Sequence, residues 1–191
     1  WKTYWQDQGF NSSAIYYQRA IGDGDIEQVL ESLGDRRLQA AGLVCNAVDD
    51  RMHGALDGLS GLHAQLQHWA KDGFLNKLIS GLIELGYEVV MTADHGNTEA
   101  EGQGKPSEGV LSKERHERAR IYTDEILRDD ALSKFEGISW PVSFGLPEDY
   151  LPILAKGRSA FVKQGEKNVG HGGISIEEVI VPFVHIESSK Q

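Results

Sequence analysis

The chain has 191 residues, 40% of them hydrophobic and 25% charged, a globular composition that excludes collagen, coiled coil and intrinsic disorder. Acidic residues outnumber basic ones 29 to 19, and the net charge of −10 argues against a nucleic-acid binder held by bulk charge, because phosphate backbones need a basic footprint. No run of about 18 apolar residues is present to form a transmembrane helix, and the single cysteine, Cys45, excludes an intrachain disulfide and points to a reducing, cytoplasmic compartment. The chain opens on Trp1 with no signal-peptide pattern after it, so it is expected to begin inside a longer protein.

Residues 1–24 are aromatic-rich (Trp1, Tyr4, Trp5, Phe10) and lack a clean period, which predicts an irregular or helical docking segment. A short helix follows over 25–33, with Asp25 as N-cap and Gly34 past its end. The apolar run 41–48 has the composition of a parallel strand buried on both faces. From Ser60 to Leu85 apolar residues recur at helical spacing, and Asp72-Gly73 divides the stretch into two helices. Gly86 ends it, and 87–92 is the next strand. Strand, long helix and strand predict an α/β domain with a mostly parallel sheet flanked by helices, in which strands 41–48 and 87–92 are neighbours. Residues 96–118 are too polar and glycine-rich for a core element and read as a mobile loop. Beyond it the sequence predicts a strand over 119–122, a helix over 123–132 capped by Thr123, and a helix over 147–154 with Pro147 in its first turn. A strand over 159–162 follows, and Ser175-Ile176-Glu177-Glu178 has the capping-box form that opens a short helix before a strand over 181–186. The whole, 1–191, is expected to be a single domain.

Open α/β sheets bind ligands beyond the carboxyl ends of their strands. Strand 41–48 runs into Asp49-Asp50-Arg51-Met52-His53, and strand 87–92 into Asp94-His95-Gly96-Asn97. Asp49 and His53 stand four apart, so one helical turn aims both side chains at one point. Asp94 and His95, adjacent in a turn off a strand end, can both reach a cation while Gly96 relieves the backbone crowding. A third histidine lies at Gly170-His171-Gly172-Gly173, where glycine lets the backbone approach a crowded site. Imidazole and carboxylate ligands suit Zn²⁺ or Mn²⁺ better than Mg²⁺. The five ligands Asp49, His53, Asp94, His95 and His171 exceed one tetrahedral site and suit two cations sharing a substrate oxygen. Taken singly, each has a plainer role: Asp49 as a helix cap, His53 as a surface residue, His171 as a loop histidine. Arg115, Arg118 and Arg120, beside His116, form a basic cluster able to recognise phosphate, although a solvated charge run is the commoner outcome.

The ordered set Asp-x-x-x-His, Thr-Ala-Asp-His-Gly-Asn after a strand, and late Gly-His-Gly-Gly resembles the alkaline phosphatase superfamily. More narrowly, Gly-Arg-Ser-Ala-Phe, Gly-His-Gly-Gly-Ile-Ser and Glu-Glu-Val-Ile-Val-Pro resemble the C-terminal part of PglZ domains, over Leu43 to Ile186. The resemblance implies an alkaline-phosphatase-like fold, expected here to be incomplete at its N-terminus. It further implies that Asp49, His53 and His171 hold one divalent cation and Asp94 with His95 a second. The family's Ser or Thr nucleophile is expected upstream, so no catalytic residue is assigned in this chain. The implied activity is that of a metal-dependent phosphodiesterase or phosphatase in BREX-type bacterial antiphage defence, with a phosphoester substrate, other defence proteins as partners and nucleic acid as a target that the net charge does not support. One alternative is a catalytically incomplete interaction or scaffold domain of a larger defence protein. Another is a phosphomutase related to cofactor-independent phosphoglycerate mutase, which shares Asp-His-Gly-Asn; the PglZ-like ending argues against it.

Overall fold

The computed structural model describes residues 1–53, 58–106, 112–141 and 145–187, and the side chains of His53 and Arg115 lie outside that description. In chain order its elements are α1 (Lys2–Asp7), β1 (Ile15–Gln18), α2 (Ile26–Leu33), β2 (Ala40–Leu43), α3 (Ala47–His53), α4 (Gly58–Lys71), α5 (Phe74–Glu84) and β3 (Val89–Thr92). There follow β4 (Thr98–Gly102), β5 (Ser112–Arg115), β6 (Ala119–Tyr122), α6 (Glu125–Lys134), β7 (Gly137–Ser139), β8 (Leu151–Ala155), β9 (Ser159–Ala160), β10 (Lys167–Gly170), α7 (Ile176–Val179) and β11 (Phe183–Ile186). They group into two compact units, the first drawn from 1–54, 62–91 and 183–191, the second from 55–61 and 92–182.

In the first unit the opening segment is part of the framework. β1 pairs in parallel with β2, Ile15 opposite Ala40 and Gln18 opposite Leu43. The Trp1 indole lies over Gly42, where an added Cβ would come 2.5–2.9 Å from its ring atoms. β2 is half as long as its apolar run suggested, because the chain turns at Val44–Asn46 into α3, whose first turn holds Asp49 and Asp50. Carboxylates there complement the free N–H groups of a helix start. α2 occupies the predicted span between Asp25 and Gly34. Gly73, at φ 84°, separates α4 from α5 as Asp72-Gly73 foretold. Ile26, Val29 and Leu33 of α2 meet Trp69, Phe74 and Leu78 in the core. Strand neighbours differ from expectation: β3 pairs with β11 and β2 with β1. His185 of β11 is bound to Glu88, with Nε2 2.7 Å from Oε1.

The second unit corrects the expectation of a mostly parallel sheet. β6, β8 and their neighbours form an antiparallel sheet in the order β5-β6-β8-β7, and β4 lies between antiparallel β10 and parallel β9. The connection from β5 to β6 is too short for a crossover, and hairpin-length links join only antiparallel neighbours. The structure is therefore mixed α/β with several small sheets. The supposed mobile loop 96–118 contains β4 and β5, with 107–111 outside the described residues. In β4 the inward residues are Thr98, Ala100 and Gly102, too small to register as a hydrophobic alternation. The expected helix over 147–154 is a turn, in which Tyr150 N donates to Pro147 O, followed by β8. Positions 152–155 are buried between β6 and β7, where a helix would leave one face wet. α6 starts two residues later than expected and is capped by Asp124, whose carboxylate accepts from Ile126 N and Leu127 N. Among the described residues no helix is long and apolar enough to cross a membrane.

Candidate metal centre

Beyond β3 the chain is pinned by Thr92, whose hydroxyl donates to Pro182 O at 2.8 Å. Asp94 then folds back to accept from the His95 amide at 3.1 Å, leaving its carboxylate 92% exposed. The His95 ring has Nδ1 3.1 Å from Gly96 O. A carbonyl only accepts, so Nδ1 carries a proton and, in the neutral ring, Nε2 keeps its lone pair. Metal-binding histidines are commonly oriented by such a bond. Nε2 lies 3.8 Å from Asp94 Oδ1, a spacing that two ligands reach when each stands about 2.1 Å from one ion. The donor set therefore fits a divalent cation.

His171 follows β10, and its ring stacks on that of His95 with centroids 3.8 Å apart and planes 13° from parallel. The two imidazoles, remote in sequence, thus meet in the second unit. His116, in the turn between β5 and β6, stands 5.9 Å from the His171 ring. The glycines after His171 have separate reasons. Gly172 has φ 104°, a conformation disfavoured for side chains, and Gly173 sits where an added Cβ would be 2.7 Å from Glu178 Oε2 and 2.8 Å from Arg118 Nη2.

Those two residues form an ion pair with both side chains 1% exposed. Arg118 Nε and Nη2 donate to the two Glu178 oxygens at 2.6 and 2.9 Å, while Nη1 reaches Ser159 O and Nη2 also reaches Gly157 O. Glu178 accepts in addition from Gly173 N at 2.8 Å and Ser175 N at 3.0 Å. Burial pushes the Glu178 carboxyl upward, but these hydrogen bonds outweigh it and hold the group below its ordinary range. Arg120 is buried too, its guanidinium donating to the carbonyls of His116, Ala119 and Phe161 and lying 5.5 Å over the Phe161 ring. Arg118 and Arg120 are thus buried and hydrogen-bonded to protein acceptors rather than forming a solvated run. In the sequence Glu178 reads only as a helix cap and Arg118 as part of a charge run, so nothing local marks them as partners 60 positions apart.

Of the remaining candidates, Asp49 lies in the first turn of α3 and His53 ends the same helix, in the first unit. Both positions stand on one helix, four residues apart. In that unit a cavity of about 150 Å³ opens past the ends of β1 and β2, lined among others by Ile21, Gly22, Asn46, Asp50 and Arg51. Asp50 therefore faces a concave surface at the strand ends, where open sheets receive ligands.

A His/Asp donor set on strand-end loops is of the kind that can hold a divalent cation. The chain matches, over residues 1–186, the family model described as the BREX system PglZ alkaline phosphatase-like domain, and it belongs to that family. No curated protein matches it.

Proposed function

We propose that this domain is the metal-binding part of a phosphoester hydrolase, a phosphodiesterase or phosphatase of the PglZ type. The observation that supports it best is the His95–His171 pair, brought together from two loops with the His95 Nε2 lone pair beside the Asp94 carboxylate. Asp94, His95 and His171 are proposed as ligands from this geometry, and Asp49 and His53 on the family's pattern alone. Two divalent cations, Zn²⁺ or Mn²⁺ by donor type, would polarise the phosphoryl group and offset charge on the attacking and leaving oxygens. The protein's own part is orientation: Gly96 O fixes the tautomer of His95, and the turn after His171 is held so that its ring stays against that of His95. No residue of this chain is assigned as nucleophile, and Arg115 is the one basic-cluster residue kept as a candidate phosphate contact.

Family membership supports a role in bacterial antiphage defence with other BREX proteins as partners, and a cytoplasmic location follows from that role. Hydrolysis of bis- and mono-(p-nitrophenyl) phosphate, measured with metal content on the same protein, tests the activity. Asp94→Ala and His95→Ala are expected to lose both metal and turnover. Retention of both in the two variants would overturn the assignment. A folded, metal-free and inactive wild type would instead favour a scaffold domain.

A further inference from the structure

We propose that Glu178, clamped by Arg118, is the positioning residue that holds His95 and His171 against each other. Its side chain fixes the loop carrying His171, through the amides of Gly173 and Ser175. Its backbone carbonyl fixes the loop carrying His95, through Gly96 N at 2.8 Å. One residue therefore ties both imidazole loops. The meaning for catalysis rests on the metal-centre reading above; the geometry does not.

The carboxylate is saturated. It offers about four lone-pair directions, and each oxygen takes one guanidinium N–H and one backbone N–H. A group so bonded can neither translate nor rotate without losing a charge-assisted bond. Arg118 is anchored in turn to the strand framework by the carbonyls of Ser159 and Gly157, and its own carbonyl accepts from Ala155 N of β8. The chain of support thus runs from β8 and β9 through Arg118 to Glu178 and on to both histidine loops.

A capping role accounts for less. A capping box needs Glu178 to reach Ser175 N alone, whereas the bonds to Gly173 N and from Gly96 N fall on the segments beside the two imidazoles. Stability does not by itself select an ion pair here, since a buried pair is often no better than well-packed apolar residues of the same volume, although removing one partner of a formed pair is destabilising. Partners of metal ligands, by contrast, set ligand orientation, and losing one costs about 10–100-fold in metal affinity or activity.

The test uses the metal-free 191-residue chain with isotope-labelled histidines, followed by titration with Zn²⁺ alone. In the wild type the Cε1–H signals of His95 and His171 are displaced by each other's ring current, as the 3.8 Å stack requires. Glu178→Gln removes the charge. Glu178→Asp keeps the charge opposite Arg118, and with it the fold, but draws the carboxylate back by one methylene. Both variants are expected to move the His95 and His171 signals, leave those of His68 and His185 in place, and weaken Zn²⁺ binding by about 10–100-fold. A folded Glu178→Asp chain with both signals unmoved would overturn the proposal. Signals that move in a protein whose wild type binds no zinc would sustain the positioning role and overturn the metal reading instead.

Discussion

Gly96→Ala tests how tightly the His95 loop is held. A Cβ at this position would overlap the Glu177 carbonyl oxygen, with its carbon 3.1 Å away and Glu178 Cα 3.6 Å away. All three are backbone atoms, so no change of rotamer relieves the contact. The loop must shift, and in shifting it loses the 2.8 Å bond from Gly96 N to Glu178 O. Overpacking of this kind costs about 1–3 kcal/mol, and a lost internal hydrogen bond about 1 kcal/mol. Together they predict about 2–4 kcal/mol less stability, read from urea unfolding of the metal-free chain by circular dichroism. Gly24→Ala is the control: nothing lies within 4 Å of its Cβ position, and its effect is expected within about 0.5 kcal/mol of zero. A Gly96→Ala midpoint and slope matching those of the control would refute the close packing of this loop on α7.

Acid should act through Glu178. Its folded value lies below the ordinary 4.5, so the unfolded chain takes up the proton first and stability falls as pH drops. The contribution is full above pH 4.5 and is lost as pH falls through the lower folded value; Glu178→Gln should flatten this part of the stability–pH curve, and an unchanged slope would count against it. At the start of α6, Asp124→Ala is expected to cost about 1 kcal/mol and Thr123→Ala little, because only Asp124 accepts from the helix amides. Equal losses in thermal unfolding would restore Thr123 as the cap. In the second core, Phe161→Ala should cost about 3–5 kcal/mol, since the ring is 1% exposed and packs beside Tyr122 and Ile153; a loss under half of that would show the site collapsing around the cavity.

What the sequence made legible was local. Asp25 and Gly34 bracket α2, Gly73 breaks the long helix, and Ser175 marks the start of α7, each through chemistry confined to a few neighbouring residues. Pairing was not legible. The partner of β2 turned out to be β1, from a segment whose aromatic residues masked a four-residue strand, and nothing local distinguishes that from pairing with β3. β8 reads as a helix in the sequence because Pro147 suits a helix start and a turn equally well. At the site, His95 and His171 stood out by composition and motif order, while their stacking depended on long-range contacts. Arg118 and Glu178 were hidden for the same reason: they are 60 positions apart, and each had a sufficient local explanation as part of a charge run or as a helix cap.

The proposed metal centre depends on His95 and His171 acting together on a cation. Calorimetric titration of the metal-free chain with Zn²⁺, repeated for His95→Ala and His171→Ala, addresses that directly. Saturable binding by the wild type, weakened at least about tenfold in each variant while the fold survives, is the predicted result. Equal affinity in all three proteins would contradict it.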